Sequence, residues 1–410
     1  MWFYLQHVLI AHQRTDAVLH GTPRGNLSDL YPRWLGAREL LLHHRNPYSP
    51  ELTREIQIGY YGRALDPTRS EDPTDQQGFA YPVYVVFFLA PTVDLSFPVV
   101  QFGFRWFLIF LTVASVLLWL YSLRCRPTIA TMTALVVLTL GSFPVLQAIK
   151  LEQLSLLVGG LAAGCAALLA GGSFFLAGVL LALATIKPQL LLLTAAWLLL
   201  WAMSGWSRRR NFVCGFVATL AILCGAAEYV LPGWFGRFRA AIAAYRQYTG
   251  GAESVLDVLL TPGWGRALAA VALLGLALVG WRFRQVSVDS LAFRWMLALT
   301  FAVTVMVVPK SAPYNQVLLL PGILLIGHNW KLLWTRNRLT RMATLIAGFL
   351  ISWPWLAALS LTVASVFLPN ESVQKAWALP LYTSLAIPIA VVVLLSVCLG
   401  EVANFEQKAS

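Results

Sequence analysis

The hydrophobic and polar positions of this chain form a series of long apolar runs joined by short polar turns. Each run approaches the roughly 20 residues that cross about 30 Å of hydrocarbon when a helix rises about 1.5 Å per residue. The runs are 104–123, 128–149, 153–171, 173–186 joined to 188–205, 212–232, 267–283, 291–309, 313–330, 342–367 and 379–400. This pattern predicts an all-α fold, a polytopic transmembrane helical bundle of about 10 to 12 spans within residues 79–410.

One long run is interrupted at Lys187-Pro188, and the pieces on either side are short. Proline lacks a backbone donor and disfavours helix at the residue before it. Because lipid leaves free backbone groups unsatisfied, we expect this break to lie at a membrane face or in a water-filled cavity.

The first 78 residues depart from this pattern. Residues 1–11 are too short to span and have neither a basic n-region nor a small-residue cleavage site. We interpret them as the remnant of a first transmembrane helix, with an interfacial segment as the alternative. Residues 12–78 are polar and predict a long extracytoplasmic catalytic loop. They contain half of the acids, Asp16, Asp29, Glu39, Glu51, Glu55, Asp66, Glu71, Asp72 and Asp75.

Two further segments are predicted between or beside the spans. The run 79–93 contains Pro82 and Pro91 and is short for a full span, which favours a re-entrant or interfacial piece. The segment 233–266 is long and polar enough to form a second outer loop.

The amino-acid composition indicates that much of this chain lies in lipid. Apolar residues make up 58% of its 410 residues and charged residues 12%, and the mean hydropathy is +0.69. A chain that keeps a charged surface in water does not have this composition, so we expect an integral, multi-pass membrane protein. The net charge of +12 would suit nucleic acid, but the basic residues form short clusters between apolar runs. We therefore expect the lipid bilayer as a partner and no nucleic acid.

Those basic clusters fall on alternate connections and predict the cytoplasmic face. They are Arg124 and Arg126, the triplet 208–210, Arg282 and Arg284, and the group Lys331, Arg336, Arg338 and Arg341. The opposite, outer face then receives 12–78, the turn at 150–153, Lys187 and the turn at 308–316. Every candidate site residue lies on this outer face.

Asp29 precedes a short predicted helix in which Pro32 suits a first helical position. Trp34, Ala37 and Leu41 follow the spacing of one buried helical face. An acid at this place either caps the helix or acts as a general base at the membrane surface. The local pattern leaves both interpretations open.

Several cations and hydrogen-bonding groups are predicted on the same face. Each cation either binds a phosphate at headgroup level or only snorkels to the interface. The cations are Arg33, Arg38, Lys150, Lys187 and Lys310. The other candidate binding residues are Tyr81, Glu152, Gln153, Tyr314 and Asn315. The five cysteines and six histidines show no metal-ligand spacing, so we expect neither a metal nor another cofactor.

The motifs resemble the GT-C superfamily of integral membrane glycosyltransferases, and within it glycosyltransferase family 87 (DUF2029). The matching pieces are Asp29-x-Tyr31 with Trp34-x-x-Ala37-x-x-Leu40-Leu41, Asn46-Pro47-Tyr48-Ser49, Phe79-Ala80-Tyr81-Pro82, Glu152-Gln153-x-Ser155-x-Leu157, Ala177-Gly178 with Ile186-Lys187-Pro188, and Tyr314-Asn315-Gln316-x-Leu318-Leu319-Leu320-Pro321. They cover residues 28 to 325. The sequence departs from the family at Glu152, where glycine is usual, and in lacking the first transmembrane helix.

The resemblance implies a catalytic acid in the first outer loop, here Asp29, and a polyprenyl-phosphate-linked sugar donor. It implies transfer of a hexose or pentose to an acceptor hydroxyl of a glycan or lipid, with inversion and without a metal. We expect the reaction at the extracytoplasmic face of a bacterial plasma (inner) membrane, in building the cell envelope. The alternative is a transporter or flippase of an anionic lipid-linked substrate, and a catalytically silent scaffold is a third interpretation.

Overall fold

The computed structural model describes residues 1–19, 28–66, 68–70, 72–249, 253–309 and 312–409. Within these ranges all regular structure is helical, as the sequence predicts. In chain order the α-helices are α1 Ile10–Leu19, α2 Tyr31–His43, α3 Pro50–Tyr61, α4 Val85–Leu89, α5 Phe97–Ser122, α6 Ile129–Leu140, α7 Phe143–Lys150, α8 Leu154–Ala170, α9 Phe174–Leu183, α10 Leu192–Met203, α11 Trp206–Val230, α12 Trp234–Tyr248, α13 Val255–Leu259, α14 Pro262–Arg282, α15 Leu291–Val307, α16 Leu320–His328, α17 Trp330–Thr335, α18 Arg338–Phe367, α19 Asn370–Lys375, α20 Leu379–Thr383 and α21 Ile387–Ala409.

Five helical stretches in the described residues are long and apolar enough to cross a membrane, and a bent pair makes up to six. The five are Phe97–Ser122, Trp206–Val230, Pro262–Arg282, Arg338–Phe367 and Asn370–Leu399. The bent pair is α6 and α7, which meet at 55°. This count is lower than the 10 to 12 predicted, because four other apolar runs form helices of only 10–17 residues. The chain is thus an all-helical protein with several membrane-length helices.

The predicted break at Lys187 is confirmed. A 3₁₀ turn, Ala184–Ile186, ends before Lys187, and a second one, Pro188–Leu190, follows it. Lys187 itself is extended, with φ −130° and ψ 72°. The proline after it cannot donate to the turn before, so α9 and α10 are separate helices.

The short helix α9 and the long helix α11 cross at backbone contact. A Cβ atom at Gly178 of α9 would lie 2.1 Å from the Phe212 carbonyl oxygen of α11. A Cβ atom at Gly215 of α11 would lie 2.1 Å from the Phe175 carbonyl oxygen of α9. Only glycine permits this approach, which packs α9 directly against the long helix α11.

The helix predicted after Asp29 is confirmed as α2. Trp34, Ala37 and Leu40 are buried, whereas Leu41 is only partly buried. The Trp34 indole donates to the Thr92 carbonyl oxygen at 3.1 Å, in a short 3₁₀ turn that follows α4. The 79–93 run therefore folds back beneath α2 as two short helical pieces.

The N-terminal residues also pack on the bundle. A π-helical turn, Tyr4–Leu9, continues into α1. Tyr4 and Leu5 are fully buried in a cluster with Phe143 of α7 and Leu361 of α18. The interpretation of residues 1–11 as the remnant of a transmembrane helix stays a prediction. The segment boundaries 1–11, 12–78 and 79–410 also stay predictions.

The bundle has two distinct ends, and α15 connects them. At one end, here called the basic end, Arg124 pairs with Asp289, and Arg294 donates to the Leu123 carbonyl oxygen at 2.7 Å. At the other, called the site end, α15 finishes beside the cavity lined by Val308. The 17 residues of α15 span about 25 Å at 1.5 Å per residue.

Cysteine labelling tests the predicted orientation. Arg54 of α3 lies at the site end and Arg208 of α11 at the basic end, and both side chains are exposed. In a cysteine-free background, Arg54→Cys should react with a membrane-impermeant maleimide in intact cells. Arg208→Cys should react only after permeabilisation, because basic clusters stay cytoplasmic. Reaction of both variants from the same side would contradict the orientation.

Candidate functional site

Asp29 stands immediately before α2 but does not cap it. The residue at the cap position is Leu30, and no side chain there accepts from the first helical amides. The Asp29 carboxylate instead accepts from the Gln153 amide and, at 3.4 Å, from the Tyr60 hydroxyl. Its backbone N–H donates to the Leu151 carbonyl oxygen at 2.9 Å. These contacts favour the functional interpretation of Asp29 over the capping one.

Gln153 connects this acid to a buried cation. Its Nε2 donates to Asp29 Oδ2, and its Oε1 accepts from Lys187 Nζ at 3.0 Å. A primary amide carries a donor and an acceptor on different atoms, so it can serve both charged groups at once. The acid and the cation are therefore held apart at a defined spacing.

Lys187 is buried at the break between α9 and α10, with 6% of its surface exposed. Besides Gln153, its ammonium donates to Ser155 Oγ at 2.7 Å and lies 5.0 Å from the centre of the Tyr314 ring. Ser155 in turn donates to Asn315 Oδ1 at 2.9 Å. A buried ammonium needs such partners, since burying an unpaired charge is strongly unfavourable. The snorkelling interpretation does not fit this position.

Arg33 supplies a second cation from the first turn of α2. Its guanidinium donates to the Asp29 carbonyl oxygen and stacks 4.4 Å from the centre of the Tyr81 ring. Stacking on an aromatic face orients the planar guanidinium and leaves other N–H groups directed to the neighbouring space.

These groups line a cavity of about 130 Å³ at the site end. The residues predicted from sequence that line it are Asp29, Arg33, Tyr81, Gln153, Lys187, Tyr314 and Asn315. They come from distant parts of the chain, yet the fold brings them to one cavity. An acid, two cations and several hydrogen-bonding groups face one small space.

Some cavity residues were not predicted. Asp75, Gln77 and Gln189 line it, as does Tyr245 from α12. Asp75 was noted only as one of the acids of the outer loop. The aromatic residues of α12 are not distinguishable from other interfacial aromatics by sequence, so no local pattern identifies Tyr245.

A second, larger cavity of about 490 Å³ adjoins the first. Tyr81, Gln189, Tyr245 and Pro309 line both of them. The remaining wall of the larger cavity is mostly apolar and carries two arginines of α12. Its additional lining residues include Pro82, Ile186, Phe238, Arg239 and Arg246. The polar cavity thus opens into a groove that combines apolar walls with positive charge.

The surroundings of Asp29 change the pKa of its carboxyl. Burial raises the pKa of the Asp29 carboxyl above the usual range, and nearby Asp75 adds to this. Arg33, the Gln153 hydrogen bond and Lys187 act in the opposite direction. With its pKa raised, the ionised carboxylate is a better proton acceptor than an exposed aspartate.

Three of the predicted candidates, Arg38, Lys150 and Glu152, do not line the cavity. Arg38 points to another face of α2, where its guanidinium lies 5.5 Å from the centre of the Trp34 ring. Glu152 has no exposed surface and bonds to Ser28, Gln101 and Arg105 instead. The helical period places Arg38 on a different face of α2 from Arg33. The buried turn between α7 and α8 encloses the Glu152 side chain away from the cavity. Lys310 lies outside the described residues.

Within the described residues, no group of three or more His, Cys, Asp or Glu side chains is arranged to hold a metal ion. Comparisons with protein-family models, with curated proteins and with solved structures find nothing that matches this chain.

Proposed function

We propose that this chain is a membrane glycosyltransferase of the GT-C type that uses a polyprenyl-phosphate-linked sugar. The observation that carries the proposal is the cavity in which the Asp29 carboxylate lies beside two cations, Lys187 and Arg33. Sugar transfer from a phosphate donor needs a base for the acceptor and positive charge for the leaving group.

In the proposed reaction, Asp29 takes the proton of an acceptor hydroxyl. The acceptor oxygen forms a bond to the anomeric carbon while the bond from that carbon to the phosphate oxygen breaks. The polyprenyl phosphate leaves with the electron pair of that bond, and the configuration at the anomeric carbon is inverted. Lys187 and Arg33 stabilise the negative charge that grows on the phosphate.

The adjoining groove supports a lipid-linked donor. Apolar side chains such as Phe238 and Ile186 offer contacts to an isoprenoid chain, whereas Arg239 and Arg246 offer charge to its phosphate. A nucleotide sugar would not require an apolar wall of this size. The shared residues Tyr81 and Tyr245 lie where the sugar and phosphate would meet.

The predicted location of the site at the outer face also agrees with this donor class. Nucleotide sugars are cytoplasmic, whereas a lipid-linked sugar reaches the outer face through the bilayer. The acceptor is a glycan or lipid hydroxyl, and a hexose or pentose is transferred. A bacterial plasma membrane is the proposed location.

Transfer in proteoliposomes tests the proposal. The purified chain should move radiolabelled sugar from a polyprenyl-phosphate donor to a glycan acceptor, with an inverted anomer in the product. We expect EDTA to leave the rate unchanged, because charge stabilisation here comes from side chains. Donor translocation without transfer would support a transporter, and loss of activity with EDTA that is restored by a divalent metal would contradict the metal-free mechanism.

A further inference from the structure

The segment that carries Asp29 is held mainly by a turn from another part of the chain. This turn comprises Leu151, Glu152 and Gln153, between α7 and α8. The Ser28 hydroxyl donates to the Glu152 carboxylate, and the Asp29 N–H donates to the Leu151 carbonyl oxygen at 2.9 Å. Gln153 donates to the Asp29 carboxylate. Three successive turn residues therefore secure two successive residues of the catalytic segment.

Glu152 is the most deeply enclosed member of this turn, with 0% of its surface exposed. Its carboxylate accepts from the Ser28 hydroxyl, from Gln101 Nε2 at 3.1 Å and from Arg105 Nε at 2.5 Å. Gln101 and Arg105 belong to the long helix α5. The carboxylate therefore ties the segment before α2 to a membrane-length helix by an ion pair in which Glu152 is buried and Arg105 is partly exposed.

Glu152 adopts a backbone conformation that favours glycine, with φ +50°. A side chain in this region is held there only when the surroundings determine it. Glycine adopts this conformation without strain, so a turn of this shape needs no carboxylate for its backbone. The Glu152 side chain therefore has a role other than forming the turn.

We infer that Glu152 is a positioning residue, held by Arg105, which fixes Asp29 in the cavity through Ser28. The inference rests on the proposed function. Glu152 does not line the cavity, so it acts on the reaction only through the residues it holds. Ser28 carries this effect, because its Oγ also accepts from the Leu30 N–H at 3.2 Å, which sets the backbone on both sides of Asp29.

Glu152→Gly tests the inference most directly, since glycine keeps the left-handed turn while the side chain that carries the carboxylate is removed. We expect kcat for sugar transfer to fall by about tenfold or more, because small displacements of a catalytic group can cost about 10²-fold. The KM for the donor should change by less than about twofold, since the groups that hold the phosphate stay in place.

Two further variants test whether Ser28 connects Glu152 to Asp29. Ser28→Ala breaks the link to Glu152 but keeps the Glu152–Arg105 pair, and it should lower kcat to a similar extent. The double variant Ser28→Ala with Glu152→Gly should be no slower than either single variant, because both remove the same connection. Arg124→Gln, which breaks an ion pair at the basic end, is the matched control and should leave kcat unchanged.

The acid limb of the pH–rate profile distinguishes a displaced Asp29 from a smaller fraction of folded protein. Asp29 faces Arg33, Lys187, Asp75 and Tyr60, and burial raises its pKa. If Glu152→Gly admits water to Asp29, the acid limb should move to lower pH. A partly unfolded preparation would lower the amplitude without moving the limb.

Transfer by the wild-type protein with unchanged kcat in Glu152→Gly would overturn the inference while leaving the proposed function intact. A normal kcat in Ser28→Ala, or additive effects in the double variant, would also overturn it. Absence of transfer by the wild-type protein would instead refute the proposed function.

Discussion

Asp29→Asn should lower the turnover of sugar transfer by about 10²-fold or more, the usual range for loss of a general base. Asparagine keeps the size of the side chain and can still accept from Gln153 through its amide oxygen. The KM for the donor should remain close to that of the wild-type protein, because Lys187 and Arg33 are unchanged. Steady-state kinetics in proteoliposomes, normalised to folded protein, provide the measurement.

Asp75→Asn is the matched comparison, since Asp75 is the other acid that lines the cavity. Its carboxylate accepts from the Gln77 N–H at 3.0 Å, in a local turn. A small effect of Asp75→Asn beside a large effect of Asp29→Asn is expected. The reverse result would transfer the role of base to Asp75, and near-normal turnover in Asp29→Asn would leave that residue a structural role only.

The pH dependence of the wild-type protein follows from the same residue. A general base works in its deprotonated form, so turnover should fall as the pH decreases through the pKa of Asp29. Burial raises that pKa, which places the acid limb above the ordinary range of an aspartate. Asp29→Asn should abolish this limb along with most of the activity.

Lys187→Met should weaken donor binding as well as turnover. A phosphate is charged when the donor binds and becomes more charged as it leaves, so a cation acts on both states. Loss of a charged hydrogen-bond donor at such a site should lower kcat by about 10²-fold. Donor affinity should fall by about 10- to 100-fold, since a charge-assisted hydrogen bond contributes about 1.5 to 3 kcal/mol.

Lys187→Arg and Lys150→Met are the controls for this variant. Arginine keeps the positive charge and should recover part of the donor affinity, although its fork geometry differs. Lys150 ends α7 and does not line the cavity, so Lys150→Met should change neither constant. Unchanged donor affinity in a folded Lys187→Met preparation would remove Lys187 from phosphate binding.

The sequence by itself determined the class of fold and the local breaks. Long apolar runs require helices in lipid, because only helices or closed barrels satisfy the backbone there. Proline sets φ and lacks a donor wherever it stands, so the start of α2 next to Pro32 and the break at Lys187-Pro188 are readable from local sequence. These features depend on residues close together in the chain.

The number of long helices was less predictable, because hydropathy shows how apolar a run is but not whether its helix bends. The run 128–149 is uniformly apolar, yet it contains Gly141 and Pro144 and forms two helices at 55°. The run 313–330 begins as the 3₁₀ turn Pro313–Leu319 before α16. Hydropathy measures the transfer of side chains to lipid and carries no term for such changes in backbone geometry.

Only the tertiary structure decided which outer-face residues meet. Asp29 contacts Gln153, 124 positions away, and Ser155 contacts Asn315, 160 positions away. The same packing brings Asp75 and Tyr245 into the cavity and encloses Glu152 against Arg105. A local pattern shows on which face of its own helix a residue lies. The relative placement of separate helices depends on their mutual packing, which no single segment of sequence encodes.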